Sequence, residues 1–262
     1  MAVHLYPFIR NMDQRQSVFV FENNDQISAF LIDQWREISG EAIRTRGVFS
    51  VALSGGETPI SFYQRLAEDS QAFPWNKIHL FLADERFVPH DHPDSNYRML
   101  RQTLLNKIDI PHENVHPVPV ETLDLRSSAE KYEGELTRFF KLSPGQIPRF
   151  DFILLGIGED GHTASLFPGS PAFTEERHLA APVVLDQVRH HRVTLTLPVI
   201  NQAENVLFLV TGENKARAMR KIIDSKDLSL PASRVRPGPG NLFFVLDREA
   251  SSQLTRQGYG TS

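Results

Sequence analysis

An acid and a histidine share one glycine-rich turn in this 262-residue sequence: Gly156-Ile157-Gly158-Glu159-Asp160-Gly161-His162-Thr163-Ala164-Ser165-Leu166-Phe167-Pro168. The turn follows the apolar run Phe152-Ile153-Leu154-Leu155. A buried strand that empties into such a turn presents side chains at the carboxyl edge of a sheet, where open α/β sheets build their sites. Imidazole titrates near neutral pH and so suits a general base, and Asp160 stands two residues before His162. The competing reading is a histidine held by local hydrogen bonds for structural reasons alone. Ser165, three residues on, makes a Ser–His hydrolase conceivable, yet no serine in the chain sits in a G-x-S-x-G elbow.

The same run contains G-x-G-x-x-G, the pattern that seats a dinucleotide pyrophosphate on bare N–H groups at the start of a long helix. Glu159 and Asp160 occupy the positions between the second and third glycines, and their charge opposes that ligand. Pro168 and Pro171 leave little room for a crossover helix. Glu175 and Glu176 stand near the distance of a ribose-binding acid, but in a polar turn. The expectation is no nucleotide cofactor.

Three further turns carry chemistry suited to an anion. Ser54-Gly55-Gly56-Glu57-Thr58-Pro59 follows an apolar run and precedes a helical pattern, with Thr58 as expected N-cap and Pro59 as first helical residue. Two glycines let the backbone approach a ligand, and a helix N-terminus favours phosphate; a plain strand-to-helix connection is the alternative. No lysine follows these glycines, so this is not a triphosphate loop. Asp84-Glu85-Arg86 ends a second apolar run; either one acid turns into a cleft while Arg86 meets an anion, or the three form a solvated loop. Thr211-Gly212-Glu213-Asn214-Lys215-Ala216 puts Lys215 near another helix start, and Arg192 enters a strand; each is an anion anchor or a plain surface cation. His90-Asp91-His92-Pro93-Asp94 has the composition of a metal site, but it lacks a carrier helix and Pro93 limits convergence, so no metal is expected. His190 and His191 are expected to be exposed and are given no role.

These residues need a scaffold that brings strand ends together. Apolar runs at 48–54, 78–83, 152–155, 193–197, 206–210 and 242–246 read as strands. Helical patterns over 27–38, 60–68, 96–106, 129–141 and 215–223 alternate with them. That alternation predicts an α/β fold, a mostly parallel twisted sheet flanked by helices in a Rossmann-like manner. With no repeat and no linker, one domain over residues 1–262 is expected. Hydrophobic residues at 40%, charged residues at 23% and a net charge of −4 offer no basic footprint for nucleic acid. The absence of cysteine excludes disulfides and suits a reducing compartment. Arg10, Asp13 and Arg15 interrupt the start, and no apolar run approaches the roughly 18 residues of a membrane span, so neither a signal peptide nor membrane insertion is expected. The expected location is cytoplasmic.

Taken in order, these turns resemble the 6-phosphogluconolactonase family. The stretches that carry the resemblance are Leu53–Pro59, Asp84-Glu85-Arg86 with Ser95-Asn96-Tyr97-Arg98, Gly156–Pro168, Arg192–Pro198 and Thr211–Ala216. Leu230-Pro231-Ala232-Ser233 before the Leu242–Asp247 run resembles the family's carboxyl-terminal signature. The resemblance spans about residues 48–250. It implies cofactor-free hydrolysis of 6-phosphoglucono-δ-lactone, and the fold shared with glucosamine-6-phosphate deaminases and ribose-5-phosphate isomerases. In those terms His162 is the base, and Asp160 orients either the histidine or the sugar hydroxyls. Ser54, Gly55, Gly56, Thr58, Asp84, Arg86, Arg192 and Lys215 hold a phosphorylated sugar lactone. The deaminase pattern has glutamate five residues after its histidine and tyrosine after Asp-Glu; this chain has Phe167 and Arg86. A deaminase-like isomerase and a non-catalytic sugar-phosphate binder are the two rival expectations.

Overall fold

Strands buried on both faces lie at the centre of the molecule, which is why they read as unbroken apolar runs. The computed structural model describes residues 8–13, 15–184, 189–238 and 240–255. Its main sheet comprises β1 (Phe8–Asp13), β2 (Gln16–Phe21), β3 (Phe49–Leu53), β4 (Ile78–Leu82), β6 (Val115–His116), β7 (Phe152–Leu155), β10 (Asn205–Val210) and β11 (Asn241–Asp247). The spatial order is β1-β2-β11-β10-β7-β3-β4-β6. Every neighbouring pair is parallel except the β1–β2 hairpin. The chain moves outward from β3 to β4 on one side and returns to β7 on the other. The loops leaving β3 and β7 therefore diverge at a switch point and open a crevice at the carboxyl ends of the strands.

Helices cover the sheet. They are α1 (Asn24–Arg46), α2 (Ile60–Glu68), α3 (Asn96–Thr103), α4 (Leu125–Phe140), α5 (Leu197–Gln202) and α6 (Ala216–Ile223). The helix expected over 27–38 is the middle of α1. The Asn23 side chain caps its start by accepting from Gln26 N, and Gly47 in the left-handed region ends it. Trp35 of α1 is fully buried and meets Phe49, Phe62 and Phe152 edge-on, joining α1, α2 and the sheet. Among the described residues no helix is long and apolar enough to cross a membrane.

Several boundaries differ from the expectation. Helix α2 spans Ile60–Glu68 as expected, but its cap differs: Tyr63 N donates to Pro59 O, so Pro59 holds the N-cap position expected of Thr58. Helix α3 stops at Thr103, where Leu104 leaves helical geometry for a short 3-10 turn. Helix α4 starts four residues early because Asp124 accepts from Ser127 N. Lys215 belongs to a 3-10 turn that leads into α6. The run expected over 193–197 is β9 (Arg192–Leu195), and it lies outside the main sheet. It forms a small antiparallel sheet with β5 (Asp84–Arg86) and β8 (Ala180–Val183), in the order β5-β9-β8. Pro198, inside the first turn of α5, ends it.

Candidate active site

Loops after β3, β7 and β10 converge with the β5–β9 pair around one cleft of about 920 Å³. Ser54, Gly55, Gly56, Thr58, Asp84, Arg86, His162, Arg192 and Lys215 all line it, although they come from five separate stretches of chain. Asp160 does not line the cleft; it stands behind His162. Asp160 Oδ1 lies 2.6 Å from His162 Nδ1 and also accepts from His162 N at 3.1 Å. The acid thus takes Nδ1 and leaves Nε2 as the free ring nitrogen. Gly158 makes this possible: a Cβ there would stand 2.1 Å from His162 Nδ1 and 2.6 Å from Asp160 Oδ1. The Phe167 ring packs against the imidazole, centroids 4.4 Å apart, and the Arg192 guanidinium lies 5.6 Å from the same ring.

The first glycine turn is braced from below. Tyr63, buried, donates its hydroxyl to Ser54 O at 2.7 Å; burial pushes that phenol's pKa up and keeps it protonated. Ser54 Oγ is buried without a partner among the described residues, an unspent polar atom in the cleft wall. Asn96 packs so closely on Gly55 that a Cβ would fall 1.9 Å from Asn96 Oδ1, and Asn96 itself lines the cleft. Its position at a helix start signalled capping only; nothing in the sequence signalled its contact with Gly55.

The two acids of the Asp-Glu-Arg stretch take different work, as alternation along a strand requires. Asp84 faces the cleft. Glu85 is fully buried in the opposite direction and accepts from Arg86 N, Asn96 N, Tyr97 N and Ser95 Oγ. Burial raises its pKa, and these hydrogen bonds act against that rise. Arg86 Nη1 donates to Asp94 O at 2.7 Å, and its buried Nε has no partner among the described residues. Burial lowers the Arg192 pKa, and its Nε is likewise unpartnered. Ser165 is buried and donates to Asp84, not to His162, so it is no nucleophile in the cleft. The Lys215 loop is tied across the cleft mouth, where Asn214 Nδ2 donates to Glu159 Oε1 at 2.7 Å.

The histidine-rich loop converges more than Pro93 suggested. His92, Asp94 and His190 bring one ligand atom each within 4.8 Å of one another, so His190 is not idle. Their atoms already serve each other: Asp94 N donates to His92 Nδ1, and His190 Nε2 and Arg189 Nη1 both meet Asp94 Oδ2. The hydrogen bond from His190 holds the Asp94 carboxyl below its ordinary range. None of the three lines the cleft. His90 turns elsewhere, its Nε2 2.9 Å from Val118 O.

A sequence profile of the family described as "Glucosamine-6-phosphate isomerases/6-phosphogluconolactonase" matches residues 22–244. A 6-phosphogluconolactonase of Synechocystis is 45% identical over 216 residues, which is 82% of this chain and 88% of that protein. A probable 6-phosphogluconolactonase 1 of Arabidopsis thaliana is 37% identical, over 92% of this chain and 95% of its own length. The solved 6-phosphogluconolactonase from Trypanosoma cruzi superposes with a TM-score of 0.81 at 32% identity, covering 96% of this chain and all of that one.

Proposed function

The chain belongs to the glucosamine-6-phosphate isomerase/6-phosphogluconolactonase family, and from that premise we propose that its His162 is the general base of a lactone hydrolysis. The reaction opens 6-phosphoglucono-δ-lactone to 6-phosphogluconate, a step of the pentose phosphate pathway. One observation carries the residue assignment: Asp160 holds His162 Nδ1 at 2.6 Å, at the wall of a cleft that also presents Arg192, Lys215 and the Gly55–Gly56 turn.

The free Nε2 of the imidazole is the atom that takes the proton of the attacking water. As the water oxygen attacks the lactone carbonyl, that proton passes to Nε2, and Asp160 stabilises the imidazolium that forms. The ring C–O bond then breaks, its oxygen takes that proton back from the imidazolium to become a hydroxyl, and the carbonyl carbon is left as a carboxyl group that ionises. Arg192, Lys215, Ser54, Thr58 and the N–H groups of the glycine turn hold the phosphate. That binding fixes the far end of the substrate and sets C1 against the base. Asp84 and Arg86 complete the binding wall. The arrangement is proposed for a single α/β domain over residues 1–262. A cytoplasmic setting belongs to the same proposal and suits the cysteine-free sequence.

Lactone generated in situ with glucose-6-phosphate dehydrogenase tests this, because its spontaneous opening supplies the blank. The wild-type protein accelerates decay well above that blank. His162→Ala lowers kcat by about 10²–10⁴ while product still binds. Wild-type turnover by His162→Ala would remove the base.

A further inference from the structure

Asp84 and Arg192 lie side by side in the cleft wall without closing a hydrogen-bonded pair. Arg192 Nη1 stands 3.9 Å from Asp84 Oδ2, well beyond the roughly 2.7–3.2 Å of an N–H···O bond. Both side chains are largely shielded from water, where opposite charges attract strongly. Something therefore holds the carboxylate back. The Ser165 hydroxyl donates to the same oxygen, Asp84 Oδ2, at 2.5 Å.

Ser165 is itself fixed. It is fully buried, its N–H donates to Thr194 Oγ1 at 3.2 Å, and it follows Ala164, whose φ of 47° puts it in the left-handed region. Leu166 N closes that tight turn onto Thr163 O at 2.9 Å. On its other side Asp84 is steadied by Asn96, whose Nδ2 donates to Asp84 O at 2.9 Å. Arg192 is left with a buried Nε that has no partner among the described residues and with the Phe167 ring beside its guanidinium. A shielded guanidinium with unspent donors at a cleft wall is suited to an incoming anion.

We infer that Ser165 is a positioning residue: by holding Asp84 Oδ2 it keeps that carboxylate from capturing Arg192, so the guanidinium stays free for the anionic end of the ligand. The inference rests on the phosphate-binding role proposed above for Arg192. Without the hydroxyl, Oδ2 turns toward Arg192 and closes the gap, and a phosphate must then break that pair before it can bind. The effect is carried by the charge on Asp84. It vanishes when that charge is removed.

The test is a cycle of Ser165→Ala and Asp84→Asn, read as the dissociation constant of 6-phosphogluconate by calorimetry on folded protein. Ser165→Ala weakens binding at least about fivefold when Asp84 is present, and less than about twofold in the Asp84→Asn background. Ser165→Cys keeps the volume with a weaker donor and follows the same pattern, so the cycle does not depend on the alanine variant folding. Equal losses in both backgrounds would mark a packing effect and overturn the inference, as would unchanged affinity in Ser165→Ala. Failure of the wild-type protein to bind 6-phosphogluconate would instead strike the phosphate-site reading itself.

Discussion

Phe167 lies against His162 with ring centroids 4.4 Å apart, and the same phenyl ring receives Arg192 at 5.6 Å. One apolar side chain thus spaces the proposed base from the proposed anion anchor. The deaminase pattern has an acid at this position. A carboxylate here would sit beside Arg192 and compete with the substrate phosphate for it. Lactone hydrolysis needs water and a base, and a ring that holds both groups apart serves it better.

Replacing that ring should therefore cost both alignment and binding. Phe167→Leu keeps an apolar filler but removes the aromatic face, and kcat/KM is expected to fall about tenfold, from the loss of one ring pair and one cation–π contact. Phe167→Tyr keeps the face and stays within about threefold. Steady-state lactone decay, corrected for spontaneous opening, separates the two. Equal rates for leucine and phenylalanine would mean that the ring only fills space.

Gly158 gives a second, independent test of the His162–Asp160 pair. Its φ lies outside the left-handed region, so an alanine backbone is allowed there. The added Cβ, however, would stand 2.1 Å from His162 Nδ1 and 2.2 Å from Cε1. The imidazole must move by an ångström or so, and a displacement of that size costs about 10²-fold in kcat. Gly158→Ala is expected to keep its unfolding midpoint and its affinity for 6-phosphogluconate while losing turnover. Full turnover would show that the dyad geometry is not needed.

Away from the cleft, His79 and His116 predict how stability follows pH. His79 Nδ1 lies 3.1 Å from His116 Nε2, and His116 Nδ1 lies 2.8 Å from Glu135 Oε1. Burial lowers both imidazoles to about 4, with His116 adding to the effect on His79 and Arg138 to that on His116. Their unfolded counterparts titrate near 6.5. Between those values the unfolded chain binds more protons, so stability rises with pH through this window. It is fully present above pH about 6.5 and is lost as pH falls toward 4, by about 2 kcal/mol once partial solvent screening is discounted. Urea midpoints at pH 7.5 and 5 should show the loss, and His79→Phe should reduce it. A midpoint that does not move between those pH values would refute the coupling.

Much of this scaffold was legible because strands buried on both faces carry no polar alternation; Phe152–Leu155 and Asn205–Val210 are buried at every position. Two of the strands that escaped are short or locally unfavourable. Asp84–Arg86 is three charged residues whose pairing with Arg192–Leu195 is a tertiary matter, and Ala180–Val183 contains Pro182. In the site, His162 and the glycines could be read from type and spacing. Asn96 could not, since its contact with Gly55 joins two elements more than forty residues apart. Nor could the sequence say which of Asp84 and Glu85 faces the cleft: alternation sends them opposite ways, but only the pairing with β9 fixes which way is in.

Glu85 yields the last prediction. Its carboxylate receives four hydrogen bonds: Arg86 N at 2.7 Å, Asn96 N at 2.7 Å, Tyr97 N at 2.8 Å and Ser95 Oγ at 3.0 Å. Two of the donors are the first two N–H groups of α3, which have no partner within the helix. Glutamine keeps the shape but turns one acceptor into a donor facing donors. Glu85→Gln should therefore destabilise the fold by about 2 kcal/mol, read from urea unfolding at neutral pH. Ser95→Ala, which removes a cap to Arg98 N and one of these donors, should cost only about 1 kcal/mol. Because α3 carries Asn96 to the cleft wall and onto Gly55, the glutamine variant should also raise KM, while Ser95→Ala leaves it near the wild-type value. A glutamine variant that unfolds more easily but binds substrate normally would show that Glu85 supports the helix without shaping the cleft.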